Sequence, residues 1–333
     1  GGEDEELLEE GGWHGHGDEA RLPEMREIFK FGRVFWLLTA ICVLIYVVVL
    51  AFNNIASALL LERDFFQPPP GGCALLDPNA CQSAANPPQH CPSSRWFQPP
   101  LPLNVTLGGA TYAPLQGTDI DCTEDGWKSG CAAEYCSRQD RAVLRAGAVM
   151  SIPYLLSAAL SPPLGAFVDR YGQRARIAAL ACLLLLGVHL CLGYSRLPPA
   201  LLLTGQGIGY STFAAVIWPS IPPVVSARLV GLAFGTAYSV QNSGLVFFPL
   251  VVAYIHSRND SYIPQVEVFF CAVAGSALLV AVYLNWLDGA ALHSVLNQSD
   301  SRFQAERKKR LARQSLDCDL DRDGGCGGGS GGG

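Results

Sequence analysis

Six apolar stretches, each long enough to cross the hydrocarbon core of a bilayer, constrain this chain of 333 residues more than any other feature. A helix needs about 20 apolar residues to span about 30 Å of hydrocarbon. None of the six contains Lys, Arg or Asp, and none has the polar stripe that a soluble helix turns to water. They cover residues 34–61, 146–168, 177–194, 200–225, 229–255 and 266–287. The sequence therefore predicts an all-α polytopic membrane protein.

The charged residues lie outside these stretches and divide the chain into parts. Only 16% of the residues are charged, and the formal net charge is −6. The acidic excess falls near the start of the chain and in the loop that begins at Glu62, so there is no basic surface for nucleic acid. We predict an acidic, low-complexity cytoplasmic linker (1–33), a transmembrane helix (34–61), a Cys- and Pro-rich lumenal loop (62–145), five transmembrane helices (146–287) and a basic, then Gly-rich cytoplasmic tail (288–333).

The positions of the basic residues predict the orientation, because Lys and Arg in short connections stay on the cytoplasmic side. The connection between spans 2 and 3 and the tail are rich in them. The connections on the opposite side hold only Arg196 and Arg258. This count predicts six spans with both ends in the cytoplasm and the long loop in the lumen. The basic residues of the two cytoplasmic segments are Arg170, Arg174, Arg176, Arg302, Arg307, Lys308, Lys309, Arg310 and Arg313.

The lumenal loop contains six of the twelve cysteines and many prolines. A loop with little apolar surface to bury is typically closed by disulfides in an oxidising compartment. Zinc is the alternative, but the loop has no Cys-x-x-Cys pair, and His14 with His16 are too few ligands for a metal site. The disulfide candidates, in any of 15 pairings, are Cys73, Cys81, Cys91, Cys122, Cys131 and Cys136. Two sequons on this side, at Asn104 and Asn259, are candidate glycosylation sites.

The Gly, Asp and Arg residues in and before the turn between spans 2 and 3 each have a physical role. Gly165 lets one helix approach its neighbour closely. Asp169 ends the span where it can meet a helix N-terminus or a guanidinium, and Gly172 permits a left-handed turn. Three arginines hold the turn at the cytoplasmic face: Arg170, Arg174 and Arg176. Any short cytoplasmic turn can collect Asp, Arg and Gly, which is the alternative interpretation.

The pattern G-x-x-x-D-R-x-G-x-R resembles the signature turn of the major facilitator superfamily, which lies between the second and third helices of each six-helix half. Gln173 stands where a basic residue is usual. The stretches SPPLGAFVDRYG, VIWPSIPPVV, FGTAYSVQNSG and VEVFF extend the likeness to the C-terminal half of the superfamily's lysosomal dipeptide transporters. It runs over residues 35–287, interrupted by a cysteine-rich loop that is longer than this branch leads one to expect.

The resemblance implies that this chain is half of a secondary transporter for small organic solutes, most simply dipeptides, in the lysosomal or vacuolar membrane, with the plasma membrane as an alternative. The partners implied are the peptide-like substrate, membrane lipid, a missing N-terminal six-helix half and a glycosylated accessory membrane subunit. No cofactor is expected. The chain also begins with Gly and a low-complexity stretch, which favours a fragment of a longer product.

Polar and large aromatic residues within the spans are candidates for a transport cavity, because unpaired polar atoms are costly inside a membrane. Interhelical hydrogen bonds, and an interfacial anchor in the case of Trp218, are equally good explanations. Trp218 followed by Pro219 is the strongest candidate, since a proline bend beside a large aromatic at mid-membrane suits a gate. The predicted lining residues are Tyr46, Asn53, Asn54, Trp218, Gln241 and Asn242.

Two ionisable residues lie in the spans, and neither is expected to do chemistry. His189 stands alone on an apolar helix and is interpreted as a packing residue. Glu267 is interpreted as a helix-start or interface residue. Without a carboxylate near His189, a membrane-embedded enzyme is not expected. Without an embedded pair of carboxylates, nothing argues for proton coupling. A receptor or scaffold that no longer transports and acts through the cysteine-rich loop remains the alternative function.

Overall fold

The computed structural model describes residues 25–68, 75–76, 96–99, 101–102, 105–107, 109–112, 115–129, 132–291, 295–299 and 305. Six helices in these ranges are long and apolar enough to cross a membrane, which confirms the all-α polytopic prediction. They are Arg33–Phe65, Ala133–Tyr171, Arg174–Tyr194, Pro199–Val224, Ala227–Asn259 and Gln265–Ala290.

Span 1 is a composite of two α-helices and two π-helical turns. It runs through α1 (Arg33–Tyr46), a π turn (Val47–Ala51), α2 (Phe52–Leu60) and a second π turn (Leu61–Phe65). The other spans are α3 (Ala133–Tyr171), α4 (Arg174–Tyr194), α5 (Pro199–Ile217), α6 (Val230–Asn259) and α7 (Gln265–Ala291). Short 3₁₀ turns cover Met25–Lys30, Gly117–Asp119, Trp218–Ser220, Pro222–Val224 and Ala227–Leu229.

The second span begins thirteen residues before the predicted start at Ala146, since α3 starts at Ala133. This extension carries charged residues, including Glu134 and Arg138, whose side chains pair at 2.6 Å. Because each turn of this extension carries charged residues, its hydropathy is too low to predict a membrane span. Glu134 and Arg138 stand four residues apart, and ion pairs at this spacing stabilise a solvated helix. The connection between spans 1 and 2 is therefore shorter than predicted, and covers residues 66–132.

The described part of this connection has a hydrophobic core of its own, so the expectation of little core is wrong. Phe66, Trp127 and Tyr135 are buried together in it. A disulfide joins Cys122 to Cys136, which confirms oxidation at these two positions. The short strands pair as β1 (Leu75–Leu76) with β2 (Leu101–Pro102) and β3 (Val105–Leu107) with β4 (Ala110–Tyr112). Cys73, Cys81, Cys91, Cys131 and Asn104 lie outside the described residues.

Span 1 lies in the centre of the bundle, with most of its apolar residues buried. Two glycines allow close approaches between helices, one of them with span 1. A Cβ on Gly207 of α5 would lie 2.9 Å from the Cα of Pro153 on α3, and one on Gly244 of α6 would lie 2.7 Å from Val43 of α1. The pair Gly205 and Gly209 likewise presses α5 against α4.

Among the described spans, those of α3 and α6 have the smallest share of buried residues. In α3, Tyr154 and Leu155 are exposed. In α6, Val246, Phe247 and Leu250 are exposed. Tyr154 also lines the cavity described next.

Candidate functional site

A cavity of about 280 Å³ lies between span 1, α3 and α5. Its size is close to the lower limit of about 300 Å³ for small-molecule sites. The wall combines apolar groups with an amide, two phenols and two hydroxyls. The lining residues are Val49, Leu50, Asn53, Pro153, Tyr154, Ser157, Ala158, Ser161 and Tyr210. This mixture can recognise a small solute that is partly polar.

A chain of hydrogen bonds crosses this cavity wall. The Asn53 amide nitrogen donates to the Tyr154 hydroxyl at 3.1 Å. The Gln206 amide nitrogen on α5 donates to the Asn53 Oδ1 at 3.3 Å. Gln206 is fully buried, and its Oε1 has no partner among the described residues. An unpaired buried carbonyl costs about 1–3 kcal/mol, so this oxygen lacks a donor directly behind Asn53, the lining residue to which Gln206 is bonded.

Sequence reasoning missed Gln206 and Tyr154. Gln206 follows Gly205 in an otherwise apolar helix, and a lone amide in such a helix was the signal that could have indicated it. Tyr154 had no signal, because an aromatic residue in a membrane span is ordinary. Only the folded chain shows that both side chains meet Asn53.

Aromatic rings continue the wall on the side of the membrane opposite the cysteine-rich loop. The Trp218 indole nitrogen donates to the Tyr46 hydroxyl at 2.7 Å. The Trp218 ring stacks on Tyr238 of α6, with 4.3 Å between ring centroids. Tyr46 also meets Tyr210 edge-on at 5.9 Å. The Trp218 indole thus contacts both span 1, through Tyr46, and α6, through Tyr238.

Trp218 follows directly on α5, which runs 19 residues from Pro199 to Ile217. The span itself continues through 3₁₀ turns to Val224. Its partner Tyr46 is the last residue of α1, near the middle of span 1. The mid-membrane position expected for Trp218 stays a prediction.

A π turn separates Tyr46 from Asn53 in span 1. Such turns add a residue to the helical repeat and are frequent at functional sites. Here the turn changes the phase of the helix between the aromatic part of the wall and the amide part. No sequence signal predicted it, since Val47–Ala51 contains neither Gly nor Pro.

The remaining predicted lining residues are not gathered at the cavity. Gln241 is buried and accepts a contact of 3.5 Å from the Cys42 thiol. Asn54 and Asn242 are exposed. The structure thus brings Tyr46 and Trp218 together and places Asn53 on the cavity, while Gln241 bonds between helices. A role for any of the six in binding stays a prediction.

The signature turn has most of the predicted geometry. Asp169 meets the Arg174 guanidinium at 3.7 Å, and Gly172 has a φ of +70°, as expected. Arg170 lies over the Tyr171 ring, and Arg176 donates to Gln173 at 2.9 Å. Arg174 is buried. A Cβ on Gly165 would meet nothing within 4 Å in the described chain, so the close helix approach predicted there is not found among the described residues. The cytoplasmic position of the three arginines stays a prediction.

The segment after the last span docks on this turn, which no sequence pattern indicated. The backbone amides of Gln173 and Arg174 donate to the carbonyls of Asn297 and Leu296 at 3.3 and 3.1 Å. The Leu296 side chain is fully buried. Asp288 of α7 holds the segment by accepting from the Leu296 amide at 2.9 Å. These bonds satisfy donors at the start of α4 that its own helix leaves free.

His189 is not alone, contrary to the sequence-based expectation. Its Nδ1 lies 2.7 Å from the Glu267 Oε2, and both side chains are fully buried. Glu267 does lie in the first turn of α7, as expected for a helix-start residue. The pairing removes the argument that a missing carboxylate excludes chemistry at His189.

Glycosylation at Asn259 stays a prediction. Asn259 is the last residue of α6, and its side-chain nitrogen donates to the Ile255 carbonyl at 2.7 Å.

Comparison with known families settles the class of the protein. The family model of the Major Facilitator Superfamily matches residues 137–315, just over half of the chain. The chain belongs to the Major Facilitator Superfamily. The superfamily resemblance of the signature turn is thereby confirmed, and the six spans are those of a multi-pass membrane transporter family. Membership of this family, and not the surroundings of His189, is the ground for the function proposed below.

Curated relatives agree within the superfamily. The chain is similar to the protein named lysosomal dipeptide transporter MFSD1 of Gallus gallus, with 28% identity over 169 residues, 50% of this chain and 36% of the relative. The protein of the same name from Homo sapiens is 32% identical over 140 residues, 42% of this chain and 30% of the relative. That of Mus musculus is 32% identical over 164 residues, 49% of this chain and 34% of the relative. The chain therefore matches about a third of the length of these relatives.

Proposed function

We propose that this chain forms the C-terminal six-helix half of a secondary transporter that moves short peptides, most simply dipeptides, across a lysosomal or vacuolar membrane. The second half would face the uncovered sides of α3 and α6 and complete the cavity. Halves of this kind rock about a site near the middle of the bilayer. The names of the curated relatives support the substrate class and the compartment.

The observation that carries the proposal is the pair of amides formed by Asn53, which lines the cavity, and Gln206, whose oxygen is unpartnered among the described residues behind it. A dipeptide offers an ammonium group and an amide N–H, both of which need acceptors once they leave water. Gln206 supplies an acceptor, and Asn53 supplies both a donor and an acceptor. The phenols of Tyr154 and Tyr210 add hydroxyls next to aromatic surface that suits a peptide side chain.

The orientation and the partners are part of the same proposal. Both ends lie in the cytoplasm, and the cysteine-rich loop lies in the lumen, as the basic residues favour. The Cys122 disulfide supports an oxidising compartment for the loop. A glycosylated accessory membrane subunit is the candidate protein partner of the chain.

Two other functions compete with this one. A transporter of another small metabolite would use the same cavity with a different pattern of donors and acceptors. A receptor or scaffold would act through the loop, whose described part has its own hydrophobic core and disulfide, as a protein-binding module would.

Uptake into vesicles separates these functions. The full-length protein is reconstituted into liposomes and offered a labelled dipeptide, the free amino acids, a tripeptide and a monosaccharide. We expect saturable uptake of the dipeptide, competition by other dipeptides, and little uptake of the sugar. Saturable uptake of another solute alone would favour the second function, and no uptake of any solute by folded protein would favour the third.

A further inference from the structure

A second cavity lies on the loop side of the bundle, where span 1 ends. This vestibule has a volume of about 790 Å³, within the range of about 300–1,000 Å³ that small-molecule sites occupy. Its wall is made by the end of span 1, the connection between α4 and α5, and residues of the long loop at Trp96. The described residues that line it share none with the transport cavity.

The vestibule and the transport cavity lie along the same span. Asn53 lines the cavity, and Glu62 lines the vestibule nine residues later. At 1.5 Å per residue, the two positions are about 13 Å apart along the helix. The vestibule is therefore a separate site, nearer to the loop side than the cavity is.

Arg63, one of two basic residues in the wall, is already saturated with protein partners. Its side chain is only 8% exposed. The Nε donates to the Leu192 carbonyl at 2.9 Å, and Nη2 donates to the carbonyls of Ser195 and Leu197 at 2.7 and 3.1 Å. Nη1 donates to both carboxylate oxygens of Asp64, at 3.0 and 2.8 Å. These five bonds match the five N–H donors of a guanidinium, so Arg63 holds the wall together and has no donor left for a solute.

Arg196, the other basic residue of the wall, is available to bind an anion. It is exposed in the connection between α4 and α5. Among the described residues, its guanidinium has no ion pair and no hydrogen bond. A guanidinium offers two parallel N–H donors that match the two oxygens of a carboxylate.

The two acidic residues of the wall keep the capacity to bind a cation. Glu62 accepts from the Tyr262 amide at 3.0 Å and from the Ser261 hydroxyl. Asp64 accepts only from Arg63 among the described residues. A carboxylate has about four acceptor sites, so each of the two can accept further hydrogen bonds. Because Arg63 balances only one of the two negative charges, the ionised group keeps a charge that favours an ammonium ion.

Aromatic rings complete the wall. The rings of Phe65 and Trp96 lie 5.6 Å apart, and Phe97 lines the vestibule beside them. The Arg145 guanidinium of α3 packs over the Trp96 ring at 4.9 Å and holds it in place. Ring surface of this kind suits the side chain of an amino-acid residue.

We propose that the vestibule is an outer binding site for a short peptide with both ends free. Arg196 binds the terminal carboxylate, and Glu62 and Asp64 bind the terminal ammonium group. The four charged residues of the wall sum to zero, as do the two ends of such a peptide. An anion alone would leave the acidic residues unused, and a cation alone would leave Arg196 unused. That the peptide bound here is a substrate rests on the proposed function, whereas binding itself does not.

Photolabelling of the purified full-length protein in lipid nanodiscs tests this site directly. The probe is a dipeptide with free ends whose side chain carries a diazirine, and mass spectrometry locates the label. We expect labelling at residues 62–68 and 96–97. In Arg196→Gln the half-maximal concentration should rise about fivefold, the scale of one exposed ion pair. Arg196→Lys keeps the charge and should label almost like the wild type.

Arg258→Gln is the matched control. Arg258 is also exposed, lies on the same side of the bundle and does not line the vestibule. Its removal changes the net charge equally, so labelling as in the wild type would show that the effect of Arg196 is local. No label at residues 62–68 and 96–97, or equal labelling in Arg196→Gln and the wild type, would overturn the proposal.

Competition identifies the ligand. An unlabelled dipeptide should prevent labelling, while its N-acetylated form, its C-terminal amide and inorganic phosphate should compete poorly. Equal competition by phosphate or the N-acetylated form would reduce the site to an anion site and contradict the proposal. Equal competition by a free amino acid would contradict the choice of a peptide.

Uptake of the same dipeptide into liposomes is measured separately. Labelling of the vestibule without uptake keeps this site and removes the proposed function. Uptake without labelling of the vestibule removes this site and keeps the proposed function.

Discussion

The indole nitrogen of Trp218 donates a hydrogen bond of 2.7 Å to the hydroxyl of Tyr46. This bond ties the end of α5 to the middle of span 1, and the stacked ring of Tyr238 adds α6 to the same contact. Because Tyr46 precedes Asn53 in span 1, on the side remote from the loop, the three residues are placed to close the cavity on that side. The rings are a candidate gate whose opening requires the bond to break.

Trp218→Ala should reduce peptide uptake while the protein still folds, because the truncation opens the contact between three spans without removing a backbone bond. The loss of so large a ring also costs stability, about 3–5 kcal/mol at a fully buried site and less at this half-buried one. Tyr46→Phe is the matched variant, since it removes only the hydrogen bond, about 1 kcal/mol. Uptake rates and melting temperatures are measured for both.

The two measurements together separate a gate from a packing contact. A gate predicts a changed uptake rate in Tyr46→Phe at an almost unchanged melting temperature. If both variants lower the melting temperature and leave the rate and affinity of uptake as in the wild type, Trp218 is a packing residue only.

Gly172→Ala should release the segment after the last span from the signature turn. A Cβ at this position would lie 2.2 Å from the Gln298 carbonyl oxygen, and a φ of +70° is itself strained for Ala by about 1–3 kcal/mol. Amide hydrogen exchange at Gln173 and Arg174, whose amides donate to the segment, should become faster.

Gly165→Ala is the control for that experiment. It lies in the same helix, and its Cβ would meet nothing within 4 Å of described atoms. Helix propensity alone then applies, which favours Ala by about 1 kcal/mol. Protection at Gln173 that is equal in Gly172→Ala and the wild type would show that the segment does not depend on the turn.

Removing the disulfide with Cys122→Ser and Cys136→Ser should loosen the loop and leave the six spans folded. The bond closes a segment with a sequence separation of 14, for which chain entropy gives about 3 kcal/mol. Limited proteolysis should cut the double variant between residues 115 and 129 faster than the wild type. Alkylation of both cysteines in unreduced wild-type protein would contradict the disulfide.

The orientation can be tested with single cysteines at two exposed arginines. Arg196→Cys should react with a membrane-impermeant reagent from the loop side, and Arg176→Cys only from the other side, because the basic residues favour a cytoplasmic signature turn. Each variant is made in a background where other accessible thiols are blocked. Labelling of Arg176→Cys from the lumenal side of intact organelles would reverse the topology.

The six spans could be predicted because hydropathy is a local property, and a membrane leaves few alternatives to a helix. The extension of α3 before Ala146 could not be predicted from hydropathy, because its solvated turns are polar. Their stability comes from ion pairs and from the hydrophobic core of the loop. The geometry of Gly172 was predictable because the turn is short. The docking of Leu296 was not, since it joins residues more than 120 positions apart.

The candidate site likewise has residues that the sequence could predict and contacts that only the folded chain shows. Single residues such as Asn53 and Trp218 stood out because polar and large aromatic groups are unusual in an apolar helix. Their partners depend on which helices are neighbours and on a π turn that shifts the phase of span 1. His189 was interpreted as solitary because Glu267 is 78 positions away along the chain. The sequence identifies polar and large aromatic residues within the apolar helices. Which of them contact one another depends on the packing of the helices.

The central claim is that Gln206 and Asn53 bind a peptide, and the affinity of the full-length protein for a labelled dipeptide tests it most directly. Gln206→Leu removes the vacant acceptor at nearly constant size. Thr204→Val on the same helix is the control, since among the described residues Thr204 bonds only to the Ala200 carbonyl of its own helix. We predict that Gln206→Leu weakens binding about tenfold or more, as expected for a lost hydrogen bond to a charged group, while Thr204→Val binds like the wild type. Equal affinity in Gln206→Leu and the wild type, with both proteins folded, would contradict the account.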